Sequence, residues 1–186
     1  GHLSEADFQY ENPELQKIMK PGTRFGPDEL NIVDNGALEK KAGYDAYDAE
    51  GVKTGKTRLI EKGILKGRLH SRQTASKMGE EPTGNARNIS WSFSPIVRMT
   101  NTYMEPGDHE PEHIIDNVQN GIYAKGALGG QTNCEMFTFS AEEAFGIKKG
   151  KVGKRLKDVV LTGNVFNTLK NIKAIGSDLN IFGGLG

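Results

Sequence analysis

A single cysteine, Cys134, is all the thiol this chain has, so no internal disulfide can brace it. The fold must rest on a buried core, and 186 residues suffice for one domain of that kind, spanning 1–186. No apolar run approaches the ~20 residues of a membrane span. Charge of one sign is missing too. The 24 Lys plus Arg balance 24 Asp plus Glu, which removes the general field that draws proteins to nucleic acid or anionic lipid. There is no initiating Met and no signal-like segment: the chain opens on Gly1-His2 and stops in a glycine-rich stretch, 182–186, with the look of a loop interior. A piece of a longer protein is expected. These absences predict a soluble, reducing, cytoplasmic setting with no nucleic-acid and no membrane partner.

What is present is a rhythm of short apolar segments punctuated by glycine. Residues 30–34, 44–48, 57–61 and 64–70 read as strands, with Asn35-Gly36, Glu50-Gly51 and Lys62-Gly63 as hairpin signals, because tight turns favour positive φ. Further strands are expected at 121–125, 131–139, 143–148, 151–155 and 158–162. Helices are expected at 13–19 after Pro13, at 71–78 with Ser71 as cap and Gly79 as stop, at 111–120 and at 164–171. The sum is an α+β fold, mostly antiparallel meander with three or four short helices. Residues 81–104 alternate small polar with apolar side chains and hold the only tryptophan, Trp91. They read as a strand with one wet and one buried face, able to wall a cleft.

Reactive groups are sparse. His109-Glu110-Pro111-Glu112-His113 satisfies the H-E-x-x-H pattern, whose chemistry needs both imidazoles one turn apart on a continuous helix. Pro111 belongs in a first helical turn and pushes Glu110 out of α conformation, so a loop followed by a helix entry is favoured over a zinc site. Cys134 has no local activating group; a structural role is favoured over that of a nucleophile paired with His70. Gly126–Gly130 lacks the lysine and hydroxyl of a phosphate loop. The basic residues around Gly150, from Lys148 to Lys157, lack interleaved aromatics and read as a solvated hairpin. His2 is followed by Glu5 and Asp7, carboxylates able to orient a metal-bound imidazole. Spacing alone leaves polar surface as the favoured role.

Several segments together resemble the TldD/PmbA family, called modulators of DNA gyrase and including zinc metallopeptidases. They are GHLSEADF (1–8), LNIVDNG (30–36), DAEGV (48–52), LIEKGILKG (59–67), PTGNAR (82–87), RMTNTYM (98–104), GIYA (121–124) and GGQ (129–131), in family order, with 142–150 and IGSDL (175–179) closing the series. The resemblance implies the C-terminal, catalytic-side domain of a peptidase acting on peptides or unfolded proteins. Its zinc would be held by two histidines of an H-E-x-x-x-H helix and a cysteine near the C-terminus, with the motif glutamate as base. His2 matches the second histidine. The first histidine and the glutamate would precede Gly1 and the cysteine would follow Gly186, so no catalytic residue is expected within these 186 residues. The chain alone is expected to be inactive and to retain no zinc. His2 with Glu5 and Asp7 favours the TldD-like branch. The alternative is a non-catalytic PmbA-like scaffold subunit. A dimer is implied, with itself or with a PmbA-like partner. Arg87, Arg98, Asn101 and Tyr103 are the candidates to face substrate.

Overall fold

The computed structural model describes residues 2–181; the glycine-rich stretch 182–186 lies outside the described residues. The chain divides into two compact units, one of residues up to 105 with a short return at 180–181, the other of residues 106–179.

The first unit opens with a 3-10 turn, His2–Ser4, then helices α1 (Ala6–Glu11) and α2 (Pro13–Ile18). Asn12 caps α2, its side chain accepting the Leu15 N–H at 3.0 Å, and Pro13 takes the first helical position, where no N–H is needed. Four strands follow as one antiparallel sheet, ordered β3 (Ile64–Leu65), β2 (Lys56–Glu61), β1 (Ile32–Asn35) and β6 (Thr102–Met104). Lys62 and Gly63 join β2 to β3 with φ of 48° and 72°, the doubly left-handed turn whose twist matches the strands it connects. Helix α3 (Arg72–Met78) has the expected cap: Ser71 Oγ accepts the Thr74 N–H, Thr74 Oγ1 accepts the Ser71 N–H, and Gly79 ends the helix at φ 68°. A two-stranded hairpin, β4 (Ala86–Arg87) with β5 (Ile96–Val97), completes the unit. Leu59, Leu69 and Val97 form its buried centre, with Ile32 and Met99 packed against them. Burying such side chains contributes about 1.5–3 kcal/mol each.

The second unit holds helix α4 (Pro111–Asp116), then β7 (Asn120–Lys125), β8 (Gly129–Asn133), β9 (Met136–Ser140), β10 (Glu143–Lys148), β11 (Lys151–Leu156), β12 (Val160–Asn164) and α5 (Val165–Lys170). Two three-stranded antiparallel sheets result, β11-β10-β7 and β12-β9-β8. Its buried apolar residues are few, Ala144, Ile147 and Ile175, and it leaves Ile122, Leu128, Met136, Val152, Val160 and Leu161 exposed.

The architecture is α+β and mainly antiparallel, with five short α-helices among the described residues. Helix α1 is the one the sequence did not announce. Four expectations change. Residues 44–48 form no strand, only a bridge from Tyr47 to Lys53, because the Asp48 carboxylate folds the chain back by accepting the N–H groups of Glu50 and Val52 at 2.9 Å. Asn35-Gly36 is no hairpin: β1 reaches β2 only after the long excursion 36–55. The 131–139 segment is two strands joined at Cys134-Glu135, with Cys134 left-handed at φ 52°. Residues 81–104 are not one strand but β4, an eight-residue loop, β5 and β6. Ser90 O accepts the Phe93 N–H at 3.1 Å, which places Trp91 at the corner of a turn, 94% exposed.

Candidate metal-ligand segment and its scaffold

The candidate metal ligand of the first unit, His2, lies on its opening 3-10 turn. Glu5 follows it, and its backbone is bridged to Leu69: Ala6 N donates to Leu69 O and Leu69 N to Ser4 O. The Glu5 carboxylate is nearly buried, 9% exposed, and faces two ways. Oε1 lies 3.2 Å from His2 Nδ1 and accepts the Met99 N–H at 3.3 Å; Oε2 lies 4.0 Å from Arg98 Nη1. A carboxylate only accepts, so in the neutral imidazole its contact puts the ring proton of His2 on Nδ1 and leaves the lone pair on Nε2. That is the arrangement of a metal-ligating histidine held by a supporting carboxylate. Asp7 fixes the next turn: its Oδ2 accepts the Val97 N–H at 2.6 Å. Thus both carboxylates that follow His2 fasten its segment to β5 and to Met99 just beyond.

Below this segment runs a buried polar chain. Gln9, fully buried in α1, donates from Nε2 to Leu3 O at 2.6 Å and accepts from Arg68 Nε at 2.6 Å. Arg68 also reaches Met19 O at 3.2 Å and pairs with Glu80. Glu80 meets His70 Nε2 at 2.9 Å, and His70 Nδ1 faces Thr74 Oγ1 at 3.1 Å. A second buried network centres on Asp34 of β1, which accepts from Asn85 Nδ2, Thr100 N, Thr100 Oγ1 and Thr102 Oγ1. It ties the sheet to the turn that starts β4.

The candidates for substrate contact fall in different settings. Asn101 is spent on backbone, accepting the Gly43 N–H at 3.1 Å and donating to Asn35 O at 2.9 Å. Arg87 donates to Gly84 O and Ala86 O and lies 3.6 Å from Asp45, while its Nη2 is buried with no hydrogen-bond partner among the described residues. Tyr103 is half-buried in β6, opposite Val33. Arg98 is the open one, its side chain 47% exposed beside Glu5.

The other motifs separate cleanly. His109 lies outside α4, its backbone bonded to Ile175 O and Ser177 N, whereas His113 is inside the helix that starts at Pro111. Glu110 is extended at ψ 133°, as proline requires of its predecessor. Cys134 is exposed at a hairpin corner rather than buried. His70 has both ring nitrogens engaged within the first unit, so neither member of that pair is set up as nucleophile or base. Lys149 and Gly150 form the left-handed turn between β10 and β11, and every residue of β11 is exposed. A cleft of about 700 Å³ lies in the second unit, lined by Leu128, Glu142, Arg155, Lys157 and Val160 among others, and contains none of the predicted site residues. No group of three His, Cys, Asp or Glu among the described residues is placed to hold a metal. No helix among them is long and apolar enough to cross a membrane. Zinc needs three or four protein ligands, so these residues fit as one ligand with its orienting carboxylate and not as a complete centre.

Comparison with known proteins agrees with the segment order. Residues 1–186 match the family described as PmbA/TldA metallopeptidase C-terminal domain. A metalloprotease of Synechocystis sp. is 53% identical over 178 residues, covering 96% of this chain and 38% of that protein. A zinc metalloprotease TldD homolog of Saccharolobus solfataricus is 34% identical over 186 residues, covering 99% and 41%. Among solved structures, a Thermotoga maritima protein described as a proposed modulator of a DNA gyrase superposes with a TM-score of 0.83 at 25% identity, over 97% of this chain and 41% of that one. The chain therefore spans about two fifths of the length of the relatives it matches.

Proposed function

From the premise that this chain belongs to the PmbA/TldA metallopeptidase C-terminal domain family, we propose that it is the single C-terminal, catalytic-side domain of a longer TldD-like zinc metallopeptidase that cleaves peptides or unfolded proteins. The observation that supports this most is the His2–Glu5 contact, which turns Nε2 of a half-exposed imidazole into an available ligand. A chance surface histidine needs no such carboxylate, fastened in turn to the Met99 amide.

His2 is the metal ligand this chain contributes; Glu5 positions it, and Asp7 holds the segment against β5. The remaining ligands and the base belong to the longer protein. An extended substrate would pass along the exposed strand backbone of the first unit, with Arg98 beside the site and Arg87 and Tyr103 as further contacts; Asn101 shapes the loop that carries them. The protein works in the cytoplasm as a dimer, with itself or with a PmbA-like subunit, and the apolar sheet surface of the second unit supplies contact area for one.

The test is the zinc content of the purified full-length protein together with cleavage of unfolded peptides. About one zinc per chain and chelator-sensitive cleavage are expected. A full-length protein that binds no zinc leaves the PmbA-like scaffold role instead.

A further inference from the structure

Between β4 and β5 the chain makes an excursion without a charged side chain. Residues 88–97, NISWSFSPIV, contain no Asp, Glu, Lys or Arg, in a chain of which 26% is charged. Ile89, Trp91, Phe93 and Ile96 are 87%, 94%, 59% and 50% exposed. Soluble surfaces rarely carry so concentrated an apolar tip unless something binds it. Serines alternate with these residues, and Ser90 and Ser92 bond each other at 2.9 Å, so the polar side of the loop is satisfied locally and the apolar side is left open.

Three features identify the occupant. The loop grows from the residues that anchor the His2 segment: Asp7 holds Val97 and Glu5 holds Met99. Its base is bracketed by Arg87 and Arg98, and Arg98 is half exposed, meeting the Glu5 carboxylate only at 4.0 Å. An occupant with apolar side chains and a carboxylate complements that layout, and a basic one does not. The area also decides. At about 150–250 Å² per large side chain, the four exposures come to roughly 440–730 Å². That is less than the ~800 Å² each partner brings to a standard subunit interface. The sheets of the second unit expose more apolar residues than this and suit a subunit better.

We propose that the 88–96 loop is a substrate-recognition element that receives the apolar side chains of an extended, neutral or acidic peptide, with Trp91 and Phe93 as the contact surface and Arg98 meeting a carboxylate. It rests on the metallopeptidase assignment above, deepening it from peptides in general to apolar, non-basic segments.

Trp91 is the only tryptophan of this chain, so it reports its own occupancy. The experiment uses the full-length protein stripped of metal with a chelator, so that binding is read without cleavage. The Trp91 signal is taken as the emission difference between native protein and W91F. A peptide of Leu, Phe and Ala with a free C-terminal carboxylate should shift that signal to the blue and protect it from iodide. A Lys-rich peptide of equal length should not. Trp91→Ala, at a site too exposed to disturb folding, should weaken binding at least about tenfold, read by the anisotropy of the same peptide carrying a fluorescent label, since exposed aromatic anchors dominate such contacts. Phe93→Ser should weaken it in the same direction. Unchanged affinity in both variants overturns the proposal. So does a Trp91 already shielded from iodide without peptide: at all concentrations its own chain covers it, and in a concentration-dependent way a second subunit does. His2→Ala separates the two claims, because it should remove zinc while leaving the peptide-induced shift intact.

Discussion

Asp34→Ala tests the scaffold most sharply. Asp34 is 1% exposed, and its carboxylate accepts from four donors: Asn85 Nδ2 at 2.8 Å, Thr100 N at 2.9 Å, Thr100 Oγ1 at 2.7 Å and Thr102 Oγ1 at 2.6 Å. No cation among these partners offsets the charge; four directed hydrogen bonds do. Removing the carboxylate does not cost all four equally. The two threonines are half-buried and their hydroxyls can turn to water. The Thr100 amide cannot turn, and in Asn85, 2% exposed, the Nδ2 group keeps only its bond to Arg98 O. Hydrogen bonds to a charged group contribute about 1.5–3 kcal/mol, so two lost outright amount to about 3–6 kcal/mol. Asp34→Asn keeps the shape and one acceptor oxygen and should cost about 2 kcal/mol, less than alanine. The assay is native-state hydrogen exchange in the full-length protein at Thr100 and at the β1 and β6 amides, which reports local opening without requiring one global transition. A loss of about 3–6 kcal/mol means protection falls at least about 100-fold, at 1.4 kcal/mol per tenfold. Exchange within about threefold of wild type for Asp34→Ala, a change below roughly 1 kcal/mol, would refute the network as a source of stability.

Three further substitutions probe other joints. Gly63→Ala forces a side chain into φ 72° and sets its Cβ against the backbone oxygens of Gly26 and Pro27, so a loss of at least about 2 kcal/mol is expected in urea unfolding of the β2–β3 region. Gly51→Ala has a similar φ of 73° and open space, and should cost only about 1 kcal/mol. Arg68→Met leaves Gln9 Oε1 and Met19 O without their donor in a buried setting; discounted for the partly exposed Glu80, about 2–3 kcal/mol is expected, read as faster proteolysis near α1.

How much of this was legible beforehand divides along a physical line. Helix α3 was visible because its cap and stop are local: Ser71 and Gly79 act on their own backbone. The turns at Lys62-Gly63 and Lys149-Gly150 were visible for the same reason, since left-handed φ is a property of the dipeptide. The proline in His109–His113 likewise decided the helix start without tertiary information. Residues 81–104 misled because alternation says which side chains share a face and not whether anything covers that face. Trp91 alternates like a core residue and points to water. Residues 44–48 failed through Asp48, whose carboxylate competes with strand pairing by capping the chain that follows it. The networks of Asp34 and of Gln9, Arg68, Glu80 and His70 have no local mark. Their members are 51 to 68 residues apart in the first case, so only the folded chain brings them together. The His2, Glu5 and Asp7 spacing was visible, but what the two carboxylates hold, the amides of Met99 and Val97, was not.

The central claim is that His2 is a zinc ligand positioned by Glu5. Zinc per chain, measured by elemental analysis on the full-length protein and on His2→Ala, tests it most directly. About one zinc in the native protein and a loss of most of it in the folded variant is the predicted result, with Glu5→Gln between them, since supporting carboxylates contribute about 10–100-fold to metal affinity. Equal zinc in native protein and His2→Ala would contradict it.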